Sequence, residues 1–358
     1  MLRWNTHPDN DHSGGFAMAS TLQPLLVNGP FGDPSVYVDF RFARRALLFD
    51  LGDIQSLSAR KILRLTHIFV SHAHMDHFMG LDRIVRICLG RARTLALFGP
   101  QEFIDRVEHK LAAYTWNLVQ GYATDFTLEA NEWRPSGELR MARFRCRSGF
   151  KREDLPSRPA ADGVLLDEEN FRVLATLLDH RTACLGFALE EKQHINVWKN
   201  RLTELGLPTG PWLNELKAAV RHGDPDNTKV RVHWTDRGSH HERMIPLGDL
   251  RRDVLRFAAG QKIAYIVDIV YHAENAQRVR ELAHNADCLF IEAVFLHRDA
   301  DHAARKYHLT ARQAGALGRA CGARRLVPMH FSARYAGDEA DIYREVEEAF
   351  SGNAPEPA

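Results

Sequence analysis

In the stretch HIFVSHAHMDHFMGLDRIVRICLG, residues 67–90, four side chains of metal-ligand type fall within six positions: His72, His74, Asp76 and His77. They follow an apolar run and precede an amphipathic one, which predicts a strand-to-helix turn. On the extended part His72 and His74 share one side, while Asp76 and His77 are carried onward as the chain turns into the helix. Two adjacent binding positions result. Imidazole and carboxylate together suit zinc, and a carboxylate at close quarters also admits manganese or iron. A polar loop of hydrogen-bonded histidines is the competing reading, and it fits one histidine better than it fits this cluster.

Two metals need more ligands than one loop supplies, so further candidates are expected at the ends of later strands. His180 closes VLATLLDH, Asp268 sits near the end of AYIVDIV, and His330 closes RLVPMH. Any one of these alone reads equally well as a strand-end residue meeting solvent. Taken together, ligands at strand ends meet on one edge of a sheet, where the backbone fixes the geometry a metal demands.

The elements that must position them can be read in outline. ALLFDLG and HIFVSH predict strands, HFMGLDRIVRICLG a helix ending at Gly90, LALFGP a strand stopped by Gly-Pro, and residues 101–114 a helix. Residues 117–140 show no clear element; RMARFRC, FRVLATLLDH and CLGFALEE follow as strands. From Lys192 to about Gly260 polar helical pieces broken by GLPTGP and HGDPDN interrupt the succession of strands and read as an insertion. Strand and helix then alternate through KIAYIVDIVY, AENAQRVRELAHNA, DCLFIEAVF, TARQAGALGRACGA, RRLVPMHF and DEADIYREVEEAF. Such alternation implies sheets covered by helices.

Composition narrows the classes. At 358 residues the chain is long enough for one large domain or two small ones, and its net charge of +1 excludes a global basic field. Contact with a nucleic acid would have to come from a local patch. One candidate is RMARFRCRSGFKR, where Arg143, Arg145 and Arg147 alternate; they either line a phosphate groove or form a plain exposed strand face. The five cysteines are odd in number and never closer than 33 residues, which favours reduced, buried thiols in a cytoplasmic protein. No run approaches a membrane span and residues 1–20 carry no apolar signal core, so neither secretion nor membrane insertion is expected. Residues 1–20 are expected to be disordered.

At this point the motifs resemble a known family: the metallo-β-lactamase fold and, within it, ribonuclease Z, the tRNA 3′-processing endonucleases. The resemblance runs from about Leu25 to Gly337. SHAHMDH is similar to the metal loop of that fold, LDHRTACLGFALEE to the later histidine motif, YHLTARQAG to the His-Ser-Thr motif and PMHFSARY to the closing motif. LGLPTGPWLNELK is similar to the Gly-Pro motif of the arm that holds tRNA in bacterial enzymes. The resemblance implies an α+β fold, the αββα sandwich, over residues 21–358, with a substrate-binding arm inserted at about 192–258. It implies two divalent ions, zinc foremost. One would lie on His72, His74 and His180, the second on Asp76, His77 and His330, with Asp268 between them and Asp76 orienting the attacking hydroxide. It also implies a tRNA precursor as partner and a homodimer in which one subunit's arm serves the other's site.

Several family details differ. NGPFGDPSVYVDF stands where a Pro-Thr-x-x-Arg-Asn loop is usual, Ile269 where Gly-Asp-Thr has its Thr, and Ile291-Glu292-Ala293-Val294 where His-Glu-Ala-Thr is usual. The Pro-Gly-Leu that follows the metal loop is missing. The metal-ligand types are kept and the substrate-facing residues are not.

Metal-dependent hydrolysis of an RNA phosphodiester is therefore the leading expectation. Expulsion of a ribose alkoxide calls for a positioned acid, and metal-bound histidines have no lone pair to offer. His308, which opens HLTARQAG, matches that role, and Glu292, at the end of CLFIEA, matches a carboxylate that would fix its tautomer. A paired His and Glu of purely structural purpose is the alternative. Two other functions stay open: hydrolysis of a small phosphodiester or lactone on the same fold, and a metal-stabilised RNA-binding module without turnover. Glu292 and His308 speak against the last. The insert, with nine Lys or Arg against six Asp or Glu between residues 192 and 243, leans towards RNA.

Overall fold

The computed structural model of the protein describes residues 21–192, 194–236, 239–258 and 260–354; the stretch 1–20, expected to be disordered, lies outside them. The chain divides into two compact units, one of residues 1–167, 172–190 and 261–358, the other of residues 168–171 and 191–260.

Eight strands of the first unit follow one another across a single sheet: β1 (Leu22–Leu26), β2 (Val36–Phe40), β3 (Ala46–Phe49), β4 (Leu65–Phe69), β5 (Arg93–Gly99), β6 (Phe126–Arg134), β7 (Glu138–Arg145) and β8 (Arg152–Pro159). β3 to β6 are parallel and the flanking strands antiparallel. A second sheet takes β9 (Val164–Asp167), β10 (Phe171–Asp179) and β11 (Ala183–Glu191), then β16 (Lys262–Ile266), β17 (Cys288–Glu292) and β18 (Leu326–Met329). The strand order there is β18-β17-β16-β11-β10-β9, with β16, β17 and β18 parallel.

The two sheets lie face to face. Phe49 and Phe69 of the first meet Phe187 of the second at ring-centroid distances of 5.7 Å each, and Phe49 stacks on Tyr265 at 5.8 Å. Helices cover the outer faces. Ile84, Val85 and Cys88 of the helix Leu81–Cys88, and Phe103, Val107 and Leu111 of the helix Phe103–Ala112, pack with Leu48, Ile68, Leu97 and Leu128. On the other side Val279, Leu317, Ile342 and Val346 pack with Ala264, Leu289, Ile291 and Leu326. Each such buried side chain contributes about 1.5–3 kcal/mol of hydrophobic stabilisation. The result is the αββα sandwich.

Three elements differ from the sequence reading. The helix expected from His77 to Gly90 is two pieces, Met75–Phe78 and Leu81–Cys88, broken at Gly80. There the Gly80 amide donates to Leu51 O at 2.7 Å, and a Cβ would lie 2.6 Å from Gly52 O. Within the stretch 117–140 lies the nine-residue strand β6, whose buried Asn131 and Glu132 break the apolar alternation that would have marked it. β8 carries two prolines and four charged residues, as an edge strand tolerates but an interior one does not. Arg147 sits in a short helical turn past the end of β7, so the three alternating arginines do not share one strand face. Arg143 instead pairs with Glu129 at 3.1 Å, and Arg145 faces Glu153 at 3.7 Å.

The second unit has its own small core. Trp212, Leu216, Leu202, Val232, Leu250 and Val254 pack around one another, and the Trp212 indole donates to Pro208 O at 3.0 Å. Its helices Lys199–Glu204, Trp212–His222 and Leu247–Val254 agree with the helical pieces expected there. A two-stranded pair, β12 (His194–Val197) with β15 (Leu255–Ala258), and a hairpin, β13 (Lys229–Asp236) with β14 (Ser239–Pro246), were not expected. Among the described residues no helix is long and apolar enough to cross a membrane.

Candidate metal centre

The ends of β4, β10, β16 and β18 bring the predicted ligand residues of the first unit together, and the end of β17 adds Glu292. Among the described residues three groups have all their donor atoms within 4.8 Å of one another: His72, His74, His180 and Asp268; Asp76, His77 and His330; and Asp268, Glu292, His308 and His330. Asp268 Oδ2 lies 3.5 Å from His72 Nε2, 3.4 Å from His180 Nε2 and 3.3 Å from His77 Nε2. Asp76 Oδ2 lies 3.4 Å from both His77 Nε2 and His330 Nε2. Ligands held at about 2.0–2.1 Å around a tetrahedral zinc lie about 3.3–3.4 Å from one another, so these separations fit a metal-ligand shell.

A second observation agrees. His77 Nε2, Asp268 Oδ1 and His330 Nδ1 are buried without a hydrogen bond, although the last two lie 2.9 Å apart. Buried polar atoms left this way are costly unless something binds them. The donor set and the spacing thus fit a metal site, with the buried carboxylate of Asp268 among its donors.

Backbone geometry holds the cluster. Asp268, two residues past β16, and His330, directly past β18, have φ of 49° and 60°, a left-handed conformation that non-glycine residues adopt at a cost. Asn275 locks two ligand loops together: its side-chain amide donates to Asp179 O and Val270 O at 3.0 and 2.8 Å, and its carbonyl accepts from the Asp179 amide at 3.0 Å. At Gly52 a Cβ would lie 1.9 Å from Asp76 O, so backbone crosses backbone under the metal loop.

Sequence reasoning missed Asp50. This buried residue, at the end of β3 with φ of 53°, accepts from the Ser71 amide at 2.6 Å, the Ser71 hydroxyl at 2.7 Å and the Tyr265 hydroxyl at 2.8 Å. Its Oδ2 also lies 2.8 Å from His77 Nδ1, which turns His77 Nε2 towards the cluster. The signal was present in ALLFD, an apolar run closed by a carboxylate, but a lone strand-end Asp has many uses.

Charge divides the cluster. Burial, reinforced by the imidazole of His77, pushes His72 down to about 2, and His74 is lowered by burial and by His180. Burial works the same way on His77 and His330, but the carboxylates outweigh it. Asp268 and Asp50 hold His77 well above the ordinary imidazole range, and Asp268 lifts His330 to about 10. Asp268, despite its burial, is held ionised by His330 and His77. Protons thus occupy positions where a cation would balance the same carboxylates.

His308 stands beside this second half. Its Nδ1 lies 2.8 Å from Glu292 Oε2, while Glu292 Oε1 accepts from the Ile269 and Leu309 amides at 2.8 and 3.3 Å. Burial pulls the His308 pKa down and Glu292 pulls it up, with a net rise.

A family model described as a beta-lactamase superfamily domain matches residues 216–331. The ribonuclease Z of Deinococcus radiodurans is 30% identical over 325 residues, covering 89% of this chain and 92% of that protein. The chain belongs to the ribonuclease Z family. The ribonuclease Z of Natronomonas pharaonis is 29% identical over 316 residues, 86% of this chain and 84% of its own. The crystal structure of the human short-form tRNase Z superposes with a TM-score of 0.50 at 19% identity, covering 87% of this chain and 90% of that one, so the fold is shared. Ribonuclease Z membership and the histidine-carboxylate clusters together make the cluster a metal site.

Proposed function

We propose that the chain is a metal-dependent endoribonuclease that cleaves tRNA precursors at their 3′ ends, working with two divalent ions, zinc in the first place. Family membership supports the hydrolytic endoribonuclease; the position of Asp268 between two histidine groups is the observation that carries the two-ion reading. In that reading His72, His74 and His180 would hold one ion and Asp76, His77 and His330 the other, with Asp268 available to both groups. Two such ions, when bound, supply positive charge to the scissile phosphate and make water a nucleophile at neutral pH.

The chain's own side chains do the rest. His330 and His77 keep the Asp76 carboxylate ionised against the opposing effect of its burial, so it accepts a hydrogen bond from the attacking water and orients it. His308, with its Nδ1–H directed to Glu292, presents Nε2–H to the departing ribose oxygen. Glu292 keeps that ring oriented and favours its protonated form.

The insert supplies the RNA contact in this reading. It carries Lys199, Arg201, Lys217, Arg231 and Arg243, of which Arg201 pairs with Glu204 and Arg231 with Glu242. Deleting about residues 192–258 should raise KM for a tRNA precursor by roughly 10–100-fold and leave cleavage of bis(p-nitrophenyl) phosphate nearly intact. Equal losses on both substrates would make the insert part of the scaffold. Five buried free thiols support a cytoplasmic protein. The homodimer is tested by light scattering. The reading as a whole is tested by incubating metal-loaded protein with a 3′-extended precursor: cleavage at the 3′ boundary is expected, and turnover of the small diester with none of the precursor would overturn it.

A further inference from the structure

Arg181 and Tyr307 flank predicted site residues without being predicted ligands themselves. Arg181 directly follows the predicted ligand His180, and Tyr307 directly precedes His308. Both are non-glycine residues in left-handed backbone, with φ of 59° and 64°. That conformation is disfavoured for residues with a Cβ, so the surrounding structure must hold both turns in it. The two turns are tied to one another. His180 Nδ1 lies 2.9 Å from the Tyr307 carbonyl oxygen, and the Arg181 guanidinium sits over the Tyr307 ring at 5.0 Å.

Arg181 is exposed; its backbone amide donates to Asp179 Oδ1 at 2.8 Å, while its guanidinium makes no ion pair among the described residues. The ring beneath it restricts the guanidinium without neutralising it. The Tyr307 ring is itself 6.5 Å from the His180 ring, so the guanidinium rests on a ring that borders the metal-ligand cluster. The same turn continues as Thr182 and Ala183, which line a cavity of about 200 Å³ together with His74, Gln101 and Arg106. Because Arg181 directly follows the predicted ligand His180, a strand whose scissile phosphate lay on the cluster would carry a neighbouring phosphate towards that turn.

We propose that Arg181, steadied over Tyr307, binds a phosphate of the substrate strand that flanks the scissile one. The inference rests on the phosphodiester reading of the centre and sharpens its substrate class: a polynucleotide with adjacent phosphates, not an isolated diester. Tyr307 is a positioning residue in this arrangement, since its ring fixes the guanidinium and its carbonyl fixes His180.

The test compares Arg181→Ala, Tyr307→Leu and Tyr307→Phe on a 3′-extended tRNA precursor and on bis(p-nitrophenyl) phosphate, at several salt concentrations. Metal content is measured for every variant, to separate lost binding from lost folding. Losing one charge-assisted phosphate contact should raise KM for the precursor about tenfold. It should also flatten the dependence of log KM on log salt by roughly 0.7, the value for one phosphate of a single strand. The small diester has no flanking phosphate, so the ratio of its KM to that of the precursor should shift by the same tenfold. Tyr307→Phe keeps the ring and should retain precursor binding; Tyr307→Leu should lose part of it. An unchanged precursor KM and salt slope in Arg181→Ala overturns the proposal while leaving the phosphodiester reading standing. A wild-type protein that cleaves neither substrate overturns that reading first, whatever Arg181 does.

Discussion

His72 and His74 stand among other imidazoles, and His77 and His330 stand among carboxylates, yet all four share Asp268 or its immediate neighbours. The first pair is therefore held neutral and the second protonated. A neutral imidazole is ready to bind a metal, whereas a protonated one must first release its proton. One half of the centre is thus preset for a cation, and the other exchanges protons for it. The proton donor proposed for the leaving group, His308, lies on the exchanging side, 3.7 Å from Asp268 Oδ1.

The largest effect expected from this asymmetry is on proton transfer. His308→Ala should keep metal and fold but lower kcat for RNA by roughly 10²–10⁴, the range for a general acid. For bis(p-nitrophenyl) phosphate the loss should be much smaller, because nitrophenolate leaves without a proton. Equal slowing on both substrates, or a lost metal, would make His308 a scaffold residue or a ligand.

Asp50 supports the carboxylate-rich half directly, through His77, and the imidazole half only at one remove, through Ser71, whose hydroxyl lies 3.0 Å from His72 Nδ1. Asp50→Asn should weaken metal binding by roughly 10–100-fold, as loss of a partner behind a ligand does. Isothermal titration that finds unchanged affinity would show that Ser71 and the backbone orient His77 without it.

A smaller effect separates the halves by pH in chelated protein. His330, lifted from 6.5 to about 10, gives stability that is complete below about pH 6.5 and is lost as pH rises towards 10. His72, depressed from 6.5 to about 2, works in the other sense: its contribution is present above pH 6.5 and lost as pH falls towards 2. The melting temperature of metal-free protein should accordingly fall between pH 6.5 and 10, and His330→Asn should flatten that fall. A variant that melts in parallel with wild type across the window would remove the His330–Asp268 ion pair from the account.

Much of the architecture was legible because its signals are local. SHAHMDH concentrates ligand types where strand turns to helix, and the later strands read as short apolar runs closed by His180, Asp268 and His330. What stayed hidden depends on partners distant in sequence. Asp50 matters because Ser71, His77 and Tyr265 converge on it, and Asn275 because it joins residues 179 and 270. β6 was obscured by buried Asn131 and Glu132; the first donates to Leu97 O at 3.1 Å and the second faces Arg134 at 3.2 Å. The β13–β14 hairpin was obscured because only Val230 and Val232 of its first strand are buried under a charged face. The helix break at Gly80 follows from the crossing with Gly52, which no periodicity encodes.

The central claim is that two unlike halves form one centre through Asp268, and counting metal ions in purified Asp268→Ala beside wild type tests it most directly. Elemental analysis should find two ions per chain in wild type and loss of both in the variant, with a lower melting temperature. A wild-type content of one ion, or a variant that keeps its metals and melts like the parent, would contradict it.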